Sequence, residues 1–108
     1  EGRKRWLLAG PSSSGKLVLD TGATDAIVLQ GSSLLAKGVT QVKGLFERGD
    51  LVELVTVQGE VIAKGICRYS SSDLNKIKTL HSEQIKAVLG FDNGKVVIHR
   101  DDLVLLDD

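Results

Sequence analysis

Apolar and polar residues alternate along this chain in short blocks broken by glycine and serine, a rhythm that favours several brief strands over long helices. Lys16-Leu17-Val18-Leu19-Asp20 predicts a first strand. Gly22–Gln30 follows with Ala23, Ala26 and Ile27 at i, i+3 and i+4, which gives a short helix one apolar face, and Gly31 is its expected stop. Gly31 to Gly38 reads as a glycine-bounded loop entering a strand near Val39–Val42, and Phe46–Asp50 reads as a turn. Leu51–Val57 predicts a strand apolar on both faces. A tight connection at Gln58-Gly59-Glu60 then returns the chain along Val61–Tyr69. The period of two puts Val61, Ala63, Gly65, Cys67 and Tyr69 on one face of that strand, with Lys64 and Arg68 on the other. Small residues on an inward face suit the crowded interior of a small barrel.

Ser70-Ser71-Ser72-Asp73 is rich in residues that cap helices, ahead of Leu74 and Ile77. Ser82 is the expected cap of a further helix with Ile85, Val88 and Leu89 on its apolar face, closed by Gly90. Asp92-Asn93-Gly94 signals a turn. Val96–His99 and Leu103–Leu106 are the last two strands, joined by Arg100-Asp101-Asp102. This order is too irregular for repeated βαβ units. It predicts a mainly β fold with short helices, a mixed sheet curled into a partly closed barrel.

Composition narrows the functional classes. The chain has 108 residues, the length of one domain, and its 42% hydrophobic content provides for a core. Fourteen basic residues balance fourteen acidic ones, so the global positive field of a strong nucleic-acid binder is missing. Cys67 is the only cysteine, which excludes an internal disulfide and suits a reducing compartment. No apolar run approaches the length of a membrane-spanning helix.

Motifs for self-contained chemistry fail on inspection. Gly10-x4-Gly15-Lys16 has P-loop spacing, but Leu17 stands where magnesium needs a hydroxyl, and a strand pattern follows where a helix should begin. His99-Arg100-Asp101 echoes the protein-kinase catalytic loop without its other parts. His81, His99 and Cys67 lack metal-ligand spacing, and no nucleophile elbow is present. The expectation is therefore no catalytic, cofactor-binding or metal-binding residue. What remains is a surface. Ser32, Ser33, Lys37 and Gly38 lie on the glycine-bounded loop, whose N–H groups and hydroxyls can bond phosphate oxygens, and Lys64 and Arg68 add charge if their face lies nearby.

Several stretches carry a family resemblance. Gly15-Lys16-Leu17-x-Leu19-Asp20-x-Gly22-Ala23-x-x-Ala26 and Gly31-Ser32-Ser33-Leu34-Leu35-x-x-Gly38-Val39 resemble the opening strand, helix and glycine loop of a PUA domain. Arg48-Gly49-Asp50-x-Val52 with Gly59-x-x-Ile62-Ala63-x-Gly65 resembles its central hairpin. Arg3-Lys4-Arg5-Trp6, Arg68-Tyr69-Ser70-Ser71-Ser72-Asp73-Leu74 and Val97-x-His99-Arg100-Asp101-Asp102 look like the C-terminal domain of the bacterial glutamate 5-kinases. The resemblance covers nearly the whole chain. It implies a PUA-like mixed-sheet pseudo-barrel over residues 10–108, with residues 1–9 as a linker from an N-terminal amino-acid-kinase domain. It also implies a cytoplasmic parent enzyme that phosphorylates the side-chain carboxylate of L-glutamate in the first step of proline biosynthesis. ATP and magnesium would bind the parent's kinase domain, and this domain would be a non-catalytic accessory. The implied partners are that kinase domain, further copies of the parent in a homo-oligomer, and RNA, the general PUA ligand, at the glycine loop. No membrane partner is expected.

Overall fold

The computed structural model describes residues 13–106. The expected linker at residues 1–9 and the start of the P-loop-like spacing at Gly10 lie outside the described residues. Gly15–Leu19 forms β1, and Asp20 leaves the strand to cap helix α1, Thr21–Gln30, by accepting the Ala23 N–H at 2.7 Å. The lysine of the P-loop-like spacing thus sits inside a strand, and no helix follows it directly. Gly31 ends α1 in the left-handed conformation, φ 66°, as the glycine stop predicts.

The glycine-bounded stretch is more structured than expected. It holds a short strand, β2 at Leu34–Leu35, and a 3-10 turn at Ala36–Gly38 before β3, Val39–Gly44. The strand expected over Leu51–Val57 stops at Val55, because Thr56 turns to bond Glu60 through both its backbone and its hydroxyl. That strand is β4, and β5 returns over Val61–Ile66. The alternation read from the sequence nevertheless continues to Tyr69: Ala63, Gly65, Cys67 and Tyr69 are all buried, while Val61 is half-buried. Beyond Ile66 the strand ends, Cys67 exchanges backbone bonds with Gly49 and Asp50, and the chain bends at Arg68 and Tyr69.

Ser70 caps α2, Ser71–Ile77, through the Asp73 N–H, as the serine run predicts. The next helix departs from expectation. A 3-10 turn at Ser82–Gln84 comes first, so Ser82 is its first residue and not a cap, and His81 precedes it with its N–H bonded to the Gln84 side chain at 3.0 Å. Ile85 is buried in α3, Ile85–Leu89, but Val88, expected inward, is 46% exposed. Val96–Ile98 is β6 and Leu103–Leu105 is β7, with a 3-10 turn at Arg100–Asp102 between them.

The five-stranded sheet has the order β3-β1-β4-β5-β7, with β1 antiparallel to β3 and parallel to β4. β2 and β6 form a separate antiparallel pair. This is the mixed sheet with short helices that the sequence predicts. Leu17 and Leu19 of β1, Val52 and Leu54 of β4 and Ala63 of β5 point into the core, where Leu74, Ile77, Ile85, Val97 and Ile98 meet them. A smaller cluster of Leu51, Ile66 and Val104 packs separately. Tyr69 is fully buried, and its hydroxyl donates to the Gly94 carbonyl and accepts from the Asn93 N–H, both at 2.8 Å. Burial raises its phenol above the ordinary tyrosine range, against the opposing pull of the Asn93 N–H.

Cys67 is fully buried, and desolvation pushes its thiol up to about 11. The native state therefore holds this proton more tightly than the unfolded chain. Its contribution to stability is complete below the unfolded pKa and is lost as pH rises towards the folded one. Between pH 8 and pH 10, urea unfolding should show about 1 kcal/mol of stability lost through this group. Cys67→Ala should remove that part of the pH slope, and an identical slope in both proteins would refute it.

Candidate functional site

A hollow of about 520 Å³ opens between α1 and the chain that follows it. That size suits a small ligand or one moiety of a larger one. Small residues on one face of α1 create the space: Gly22, Ala23 and Ala26 leave room above Ile27, which is buried at the floor beside Leu34. The opposite wall comes from Ser32, Ser33 and Leu35, and Lys37 and Gly38 close one end beside Asp20.

Each wall is fixed locally. The Asp20 N–H donates to the Gly38 carbonyl at 2.9 Å, tying the start of α1 to the 3-10 turn. Gly38 packs so close to Ala23 that any side chain at Gly38 would overlap the Ala23 methyl. At the other end the Ser32 N–H reaches back to the Ala26 carbonyl, closing the helix terminus. The Ser33 hydroxyl accepts the Arg100 N–H at 2.8 Å, which fastens the wall to the turn between β6 and β7. The Arg100 guanidinium also lies beside Gly31, 3.8 Å from where a β-carbon would stand. It thereby faces the negative end of α1. The 3-10 turn is held from behind by the Thr79 N–H on the Ala36 carbonyl.

Two charged side chains among the described residues line the hollow, Asp20 and Lys37. Asp20 Oδ1 is used by the helix cap, and Lys37 is exposed with no ion pair among the described residues. No aromatic side chain among the described residues is in the lining.

Of the six surface candidates read from the sequence, the fold brings Ser32, Ser33, Lys37 and Gly38 together in this hollow and leaves two outside it. Lys64 lies on β5 in register with Glu53 of β4 and Val104 of β7. Arg68 reaches Asp102 at 3.8 Å, and its carbonyl accepts from the Asn93 side chain. The sequence reading missed the α1 wall and Asp20. An aspartate three residues before Ala23 at a strand end is a helix-cap signal, and it would have placed Asp20 at the mouth. Arg100 was missed because its position depends on a contact with Ser33, distant in the chain.

A PUA domain family model matches residues 15–89. The chain is 57% identical over 98% of its length to Glutamate 5-kinase 2 of Pseudoalteromonas translucida, and 58% identical over the same share to Glutamate 5-kinase of Aliivibrio fischeri. It covers 29% of each of these, less than a third of the relatives' length. Among solved structures it is similar to a PUA domain from Aeropyrum pernix in a tartrate complex, with a TM-score of 0.59 and 25% identity over 80% of this chain and 41% of that one. A PUA domain protein from Thermoplasma acidophilum matches in fold, with a TM-score of 0.54 and 21% identity over 83% of this chain and 49% of that one.

Proposed function

This chain belongs to the PUA domain family, and from that premise we propose that it is the non-catalytic accessory domain of a longer glutamate 5-kinase. The carrying observation is the shape of the similarity: 57% identity spans 98% of this chain but 29% of the relative. On this reading the parent enzyme is cytoplasmic and transfers phosphate from ATP, with magnesium, to the side-chain carboxylate of L-glutamate, using residues outside this chain. The domain's partner is the parent's own kinase domain, within a homo-oligomer.

The local chemistry supports an accessory role. Cys67 is sequestered with its thiol held protonated near neutrality. The His99 Nδ1 is occupied by the Asp101 N–H at 3.0 Å. No helix among the described residues is long and apolar enough to cross a membrane.

The test compares the full-length kinase with a version lacking this domain. The expected result is altered regulation or assembly in the deleted enzyme, partly restored by adding the domain in trans, and no ADP formation by the domain alone. Unchanged activity, regulation and oligomeric state on deletion would defeat the proposal.

The grouping of Ser32, Ser33, Lys37 and Gly38 on one hollow favours RNA as the second reading. Fluorescence anisotropy with tRNA checks it. The contact is electrostatic, so binding should be strongest at low salt, and no signal there excludes it.

A further inference from the structure

We propose that the hollow beside α1 binds a free α-amino acid whose side chain has an aliphatic stem and ends in a hydrogen-bond acceptor. The site stands on the geometry of the hollow alone and is independent of the accessory role above.

The distribution of chemistry along the hollow carries the inference. At one end, Asp20 lies beside Gly38, and Lys37, which immediately precedes Gly38 in the chain, also lines the hollow. Asp20 Oδ1 is occupied by the Ala23 N–H, which leaves Oδ2 to accept from a cation. Lys37 provides a flexible ammonium for an anion, and the positive end of the ten-residue α1 lies at the same place. One carboxylate and one flexible ammonium from the same end of the hollow match a ligand carrying the complementary pair on a single carbon.

The middle of the hollow is aliphatic: Ala26, Ile27 and Leu34 offer a surface for methylene groups. The far end is polar again. The Ser33 oxygen already accepts the Arg100 N–H, so its own proton is directed to another acceptor, and Ser32 adds a second hydroxyl.

The same features argue against a nucleotide. Bases bound as single strands stack on aromatic or arginine planes, and no such side chain lines the hollow among the described residues. Among the described residues a polyanion would meet one cation there and be repelled by Asp20, whereas a zwitterion uses both charges.

A matched ligand series tests this by amide chemical-shift titration of the chain. L-Glutamine and L-glutamate carry all three recognition elements, L-norvaline lacks the distal acceptor, and glutarate lacks the ammonium. Shifts confined to Ala23, Ser33, Lys37, Gly38 and their neighbours are expected from the first two, weaker ones from L-norvaline, and the weakest from glutarate. Lys37→Ala, at an exposed position, should weaken binding about tenfold, the loss of one charge-assisted contact. Ser33→Ala should abolish the preference over L-norvaline. If neither L-glutamine nor L-glutamate moves these amides at millimolar concentration, the proposal is wrong. It is equally wrong if a short single-stranded RNA moves them and the amino acids do not. Neither result bears on the deletion of this domain from the full-length kinase, so the two readings fail separately.

Discussion

Gly38→Ala should destabilise the domain by about 2 kcal/mol, the cost of forcing a methyl group into an already filled contact. The new β-carbon would overlap the Ala23 methyl, and the helix and the 3-10 turn would have to separate. Their separation stretches the bond from the Asp20 N–H to the Gly38 carbonyl, which closes the mouth of the hollow. The effect is steric, because the Gly38 backbone is not in the left-handed region. Gly31→Ala makes the contrast. There the φ of 66° is the obstacle and the nearest group is the end of the flexible Arg100 side chain, so the loss should be nearer 1 kcal/mol. Urea unfolding of both variants measures the difference. The decisive comparison adds Ala23→Gly to Gly38→Ala. Ala23→Gly alone weakens the helix by about 1 kcal/mol, yet in the double variant it removes the atom that Gly38→Ala strikes. A double variant no more stable than the sum of the single losses would show that the collision is relieved elsewhere.

Tyr69→Phe should cost a further large amount, about 2 kcal/mol, although it removes a single oxygen. That oxygen satisfies the Asn93 N–H and the Gly94 carbonyl together, and phenylalanine leaves both without this partner. The ring stays in the core, so the loss isolates the hydroxyl. Hydrogen exchange should accelerate at Asn93, while amides of β1 and β4 slow or quicken only with global stability. A variant within 0.5 kcal/mol of the parent would mean that water substitutes for the phenol, a far smaller effect than the polar-group penalty predicts.

Much of the fold was legible because its signals are local. The Ala23, Ala26 and Ile27 spacing and Gly31 marked α1, and the small residues at Ala63, Gly65 and Cys67 marked the inward face after β4. Ser70 announced α2. What escaped was set by contacts between distant parts of the chain. Nothing near Leu34 or Ile98 states that they face each other across β2 and β6, since each pair member is merely a short apolar stretch. Nor does any local pattern state that β1 lies between β3 and β4. Val88 turned outward although it follows buried Ile85 at i+3 within the same helix, because what covers each face of so short a helix is set by distant packing that residue periodicity does not encode. The candidate site was half visible for a related reason. Ser32, Ser33, Lys37 and Gly38 stood out as loop chemistry, but Gly22, Ala23 and Ala26 read only as a helix face meant for packing. Their small size makes a hollow only when the wall opposite is known.

The position of β1 also sets an order of events at the ribosome. β3 and β4 are consecutive in the chain, yet they cannot pair with each other, because each hydrogen-bonds to an opposite edge of Gly15–Leu19. Among the described strands of this sheet, Gly15–Leu19 is synthesised first, and it is held without its parallel neighbour until Leu51–Val55 has followed. Such distant pairing is slow to form. During that wait the nascent chain exposes an apolar strand, and a truncation that removes it would leave the two later strands with a gap that neither is able to close.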